Sequence, residues 1–242
     1  MYNLLISLAV GLAVALAIRF GTNVGWVGSV VPGVFAFGLA YFLLARRTFR
    51  QVEALFEEVK KDVMGQRVER AVQTLQRGFA LAPWQFLVAT QLHSQLGVLF
   101  YVREKYDAAQ PHLEKSYSKH WVARVMLALV RYRRRDLDGA RKVLEETVKS
   151  NKKEGLAWAA YAWVLEKEGR HADAVEVMGR AAKANPSDEK VKAALHALQN
   201  DKRLKLGKLY GQDWYQFMLE RIPQELLGGS MRGGRRVVVQ RR

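Results

Sequence analysis

Residues 27–45 are a run of 19 positions without one charged side chain, and no feature of the chain narrows its fold further. As a helix rising ~1.5 Å per residue, the run matches the ~30 Å hydrocarbon core of a bilayer. A second apolar run, residues 3–20, stands before it, and residues 1–45 together carry a single charge, Arg19. The segment between them, RFGTNVGW, is Gly-containing and ends on an aromatic suited to a membrane interface. The pattern predicts a transmembrane hairpin over residues 1–45, with spans at about 3–20 and 27–45. Ala9, Ala13 and Ala17 recur every four residues, and Gly28, Gly33, Ala36 and Ala40 put small side chains on the second run. Such residues let two helices approach closely in lipid, although they are also simply common in membrane helices. Pro32-Gly33 predicts a kink in the first third of the second helix.

Charge orients the hairpin. Arg46, Arg47 and Arg50 follow the second run at once, which places that end on the cytoplasmic side, against the single Arg19 at the other end. Ala-x-Ala steps at Ala13/Ala15 and Ala15/Ala17 would suit a signal peptidase, but the opening MYN lacks the positive stretch of a signal peptide. Cleavage of the first run stays open. The expected location is an integral membrane protein, by its style of a bacterial inner membrane, with the remainder cytoplasmic. Over the whole chain 39 Lys and Arg oppose 23 Asp and Glu, a net charge of +16. Such a balance predicts an anionic contact: nucleic acid, acidic lipid or an acidic protein. The absence of cysteine excludes disulfides, thiolate zinc sites and thiol chemistry.

Beyond Arg50 the pattern becomes that of charged, amphipathic helices, with no strand-like run before the last ten positions. Alanines punctuate it. Ala140 stands 34 residues before Ala174, Ala109 stands 31 before that, and Ala71 a further 38. A period near 34 marks stacked helix pairs. In GLAWAAYAWVLEKEGRHADAVEVMGRAAKANPSD, Trp158, Tyr161, Ala162 and Leu165 fall on one helix. Ala174, Met178, Ala181 and Pro186 fall on the next. Leu96, Gly97 and Phe100 with Tyr106 and Ala109 mark a further pair, as do Ala71, Leu75, Gly78 and Pro83. The repeat at 121–154 is degenerate, with Arg124 and Lys152 where Trp and Pro would fall.

These residues resemble the tetratricopeptide repeat family, whose pattern is W-x2-L-G-x2-Y followed by A-x3-F-x2-A-x4-P. The resemblance covers about residues 52–188: one repeat matches well and three are degenerate. It implies an all-α chain: the hairpin, then a solenoid of about four helix pairs with a capping helix, together residues 46–206. The alanines sit where paired helices cross, and each pair leaves an apolar face for its neighbour to cover. The aromatics named are therefore mostly core. Residues 207–227, with Trp214, Tyr215, Phe217, Met218 and Leu219, would pack back on the array or be offered to a partner or the membrane surface. Residues 228–242, GGSMRGGRRVVVQRR, cannot bury enough surface to fold alone.

Function follows from the groove that stacked pairs present. The face opposite the Trp158 side carries Ala159, Trp163 and Glu166. The matching places hold Val125, Leu129, Tyr132 and Arg133, then Ser94, Val98 and Tyr101. This mixture suits a peptide with apolar anchors and an acidic element. Arg131, Arg134 and Arg135 lie close by as candidates for an anionic partner, although such a run is also a common solvated helix end. In the tail, Arg232, Arg235, Arg236, Arg241 and Arg242 would meet anionic lipid or RNA, or stay solvated. Some family members hold a C-terminal carboxylate with Lys and Asn on the groove face; neither stands there in these repeats. No catalytic or phosphate-binding motif occurs, and none of the five histidines has metal-site spacing. The expectation is a non-enzymatic, cofactor-free, membrane-anchored scaffold for a partner protein. The alternatives are a structural subunit of a larger membrane complex, or a basic module for anionic lipid or nucleic acid.

Overall fold

Long apolar stretches with good helix formers at both ends give the first two elements. In a computed structural model, α1 (Tyr2–Gly21) and α2 (Trp26–Met64) form an antiparallel helical hairpin. The structure describes residues 1–22, 24–221 and 223. Small residues set the crossing: a Cβ on Gly11 would lie 2.7 Å from Cβ of Phe37, and one on Gly33 would lie 2.7 Å from the Gly11 carbonyl oxygen. Outward, both helices present large apolar side chains, and their most apolar stretches are only 11% buried. Pro32 sits in the second turn of α2, which runs unbroken past Arg46 and Arg47 to Met64. The composition change at residue 45 thus falls inside one helix.

The described residues fall into two compact units, divided between Arg134 and Arg135. In the first, the distal part of α2 packs on α3 (Val68–Gly78). A 3-10 turn (Phe79–Leu81) follows, then α4 (Val88–Val102), α5 (Tyr106–Glu114) and α6 (Trp121–Arg133). Val52 and Val59 of α2 share a core with Ala71, Leu75, Leu92 and Leu96. Gly97 lets α4 and α5 touch, since a Cβ there would fall 2.6 Å from Cδ2 of Leu113. Glycine at this crossing avoids a clash that any side chain would cause.

The second unit is built from α7 (Leu137–Ser150), α8 (Gly155–Lys167), α9 (His171–Ala184) and α10 (Glu189–Gln199). Two short helices follow among the described residues, α11 (Leu206–Tyr210) and α12 (Gln212–Tyr215). Asp136 caps α7 by accepting from the Gly139 N–H at 2.9 Å, and Asp188 caps α10 by accepting from Lys190 and Val191. Ala71, Ala109, Ala140 and Ala174, the four periodic alanines, have no exposed surface.

Candidate functional site

The α8 sequence is apolar on every side, and burial follows: Gly155 through Leu165 are all buried. α7, α9 and α10 pack around it. The remaining face is covered by the chain itself. Trp214 of α12 stands edge-on to Trp163 at 6.0 Å and to Phe217 at 6.0 Å. Trp214 and Phe217 are 0% exposed. The segment after α10 therefore docks on the face that the periodicity assigned to a groove.

This corrects the groove reading. Ser94, Tyr101, Val125, Leu129 and Ala159 are 0% exposed and Trp163 is 8% exposed. They are interior residues and offer no contact to a ligand. Ser94 donates to the Thr90 carbonyl and accepts from the Tyr117 N–H at 2.9 Å, so its hydroxyl ties α4 to the turn before α6. Tyr101 meets Tyr106 edge-on at 5.3 Å, and burial pushes its phenol pKa up against the opposing Arg133 charge. Val125 and Leu129 lie in the buried stretch of α6, which packs on α4 and α5. The physical reason is general to stacked helices: a face free of its own partner helix is the seat of the next neighbour. Val98, Tyr132 and Glu166 are half-buried and Arg133 is exposed. Glu166 lies 2.7 Å from Nδ1 of His171.

An open surface does exist in the first unit. A cleft of about 530 Å³ is lined by Glu104, Lys105, Tyr106, Asp107, Arg133 and Arg134, among others. The turn between α4 and α5 supplies one wall and the end of α6 the other. Arg133 lays its guanidinium 4.8 Å from the Tyr106 ring centroid, a favourable cation–π geometry. Arg134 pairs with Asp107, and Arg131 with Glu114 at 3.3 Å. Three of the four arginines in RYRRRD thus stitch α6 to α5, while Arg135 is exposed in the left-handed region at φ 65. Partly neutralised arginines beside an exposed acid suit a mixed-charge protein surface better than a bare polyanion. Sequence reasoning missed Tyr106 and Asp107 as cleft residues; their signal was their place at the start of a second helix, facing the Arg run one repeat later. Arg232, Arg235, Arg236, Arg241 and Arg242 lie outside the described residues.

Another polar pair lies between α4 and α5. Nδ1 of His93 and Nδ1 of His112 are 2.9 Å apart, flanked by Phe79 at 4.8 Å and Phe100 at 5.6 Å between ring centroids. Burial lowers both pKa values. The charge of Lys115 adds to each, and His112 lowers that of His93 further. Among the described residues no group of three or more His, Asp or Glu is placed to hold a metal ion.

An all-helical array of paired helices with small residues at each crossing defines a helical-repeat protein. Residues 125–189 match the family model described as tetratricopeptide repeat. No curated protein sequence matches it. Among solved structures it is similar to a crystal structure of the MamA protein, with 17% identity over 74% of this chain and 91% of that one, TM-score 0.46. A MamA RS-1 double mutant gives 16% identity over 74% and 96% of the two chains, TM-score 0.46. MamA AMB-1 gives 20% identity over 80% and 97%, TM-score 0.44.

Proposed function

We propose that the protein is a membrane-anchored scaffold that holds a partner protein against its helical array. The observation that carries this reading is the build of α2. Its first half is apolar and mostly exposed, while its second half contributes Val52 and Val59 to the core of the first repeat. Exposed apolar surface on this scale is costly in water and ordinary in lipid. The hairpin then anchors, the arginines after residue 45 mark the cytoplasmic side, and the repeats recruit. The docking surface is the cleft around Tyr106, Arg133 and Arg134, with the half-buried Tyr132 beside it.

The test places a photo-crosslinking residue at position 106 of the full chain in native membranes. The expected result is carbonate-resistant membrane association and one discrete cross-linked partner, lost with Arg134→Glu. Release by carbonate rejects the anchor. Unchanged cross-linking in Arg134→Glu rejects the cleft. A partner that stays bound in stoichiometric amount through mild detergent, independent of position 106, identifies a structural subunit instead.

A further inference from the structure

At the level where the apolar run of α2 ends, a third piece of the chain reaches the hairpin. The backbone N–H groups of Tyr2 and Asn3, in the first turn of α1, donate to the carbonyls of Pro83 (2.9 Å) and Trp84 (3.2 Å). Those first-turn donors have no partner within the helix. Side chains complete the joint. The Asn3 amide donates to Thr48 at 2.9 Å and to Gln85 at 3.2 Å, and the Gln85 amide donates to Tyr41 at 2.9 Å. Asn3, Thr48 and Gln85 are buried. The loop before α4 is thus fastened to both hairpin helices, at a fixed depth one turn beyond residue 45.

What this loop shows outward is apolar. Trp84 is 40% exposed, Phe86 50% and Leu87 37%, and Phe49 of α2 beside them is 64% exposed. Leu87 holds φ +68, a left-handed conformation that bulky side chains avoid. On the same turn of α2 stand Arg46, Arg47 and Arg50, all exposed, and none makes an ion pair among the described residues. A cavity of about 200 Å³ opens between Arg47 and Trp84, lined also by Asn3, Leu44, Thr48, Gln51 and Leu81.

We infer that this cavity holds the phosphate of an anionic phospholipid of the cytoplasmic leaflet, with Trp84 at its rim and the loop 84–87 inserted at headgroup depth. The inference rests on the membrane-spanning reading of the hairpin. Three observations choose the occupant. Charge complementarity calls for an anion, because Arg47, without an ion pair among the described residues, lines the opening, and Arg46 and Arg50 stand on the same stretch of α2. The aromatic rim belongs to the interfacial layer, where Trp is favoured. The site is continuous with the lipid-facing surface of α2, so a lipid reaches it without leaving the leaflet.

Because the chain has no cysteine, a single introduced thiol is a unique label. Nitroxides at Phe86→Cys, Leu39→Cys and Arg70→Cys are compared in full-length protein in mixed phosphatidylcholine–phosphatidylglycerol nanodiscs. Positions 39 and 86 should collide with oxygen more than with a water-soluble nickel chelate, and position 70 the reverse. If 86 behaves like 70 while 39 stays lipid-like, the inserted loop is overturned and the anchor stands. If 39 itself reads aqueous, the spanning reading fails and the inference with it. Native mass spectrometry of the released protein should show one retained phosphatidylglycerol. Its apparent affinity should drop about fivefold in Arg47→Gln, the equivalent of about 1 kcal/mol for one arginine at the surface, and be unchanged in Arg70→Gln. Equal loss in both variants, retention in Arg47→Gln, or displacement by inorganic phosphate overturns the headgroup site.

Discussion

The carbonyl of Lys152 accepts two hydrogen bonds, from the Trp158 indole N–H at 3.0 Å and from the Asn185 amide at 2.8 Å. One oxygen thereby joins the turn before α8 to the end of α9, which gives Trp158 and Asn185 a shared task. Arg180 adds a further tie, with two bonds to Glu145 at 2.7 and 3.1 Å and its guanidinium 5.3 Å from the Trp158 ring centroid. Asn185→Ala should lower stability by about 1 kcal/mol, the net value of one such bond, read by urea denaturation of the full chain in detergent. The histidine pair supplies a pH dependence. One ring must donate and the other accept, so the contact tolerates at most one shared excess proton. Both folded pKa values are lowered, so the unfolded chain binds protons first. Stability is complete above the unfolded value of about 6.5 and falls as acid protonates the pair. Denaturation midpoints at about pH 8 and about pH 5 should differ, and His112→Phe should reduce the difference.

Among the elements, the hairpin was legible in the sequence because lipid-compatible helices advertise themselves by length and missing charge. The end of α2 was not. Arginines at 46 and 47 mark a change of composition, while nothing in 46–64 breaks a helix, so the boundary of composition and the boundary of element differ. The small residues at the crossing carry a prediction of their own. Gly33→Leu would drive a side chain into the Gly11 backbone and Ala15, and overpacking of this kind costs about 1–3 kcal/mol. A loss of disulfide cross-linking between cysteines placed at Leu8 and Phe37, relative to the same pair with Gly33 intact, is the expected result. The alanine spacing likewise revealed each helix crossing, because only steric closeness demands so small a residue at a fixed interval.

For the molecule as a whole, the sequence offered a returning segment at 207–227 but not the face that it covers. Periodicity states which face a helix turns from its own partner. It says nothing of a distant segment returning to cover that face, as Trp214 and Phe217 do on α8. Trp214→Ala should therefore cost about 3–5 kcal/mol, the usual range for removing a buried large aromatic, and the emission of Trp163 should shift red as water reaches it. Truncation after residue 203 should do the same and lower solubility, since an uncapped repeat end is sticky. The unbroken run of α2 has a different consequence. A tether of loose chain would absorb added residues as slack. Here each residue inserted after Arg50 would turn the rest of α2 by about 100° and raise it ~1.5 Å, pulling Val52 and Val59 out of register with Thr48 and the loop joined to it. The hairpin and the first repeat are thus keyed to one another by the count of residues along a single helix.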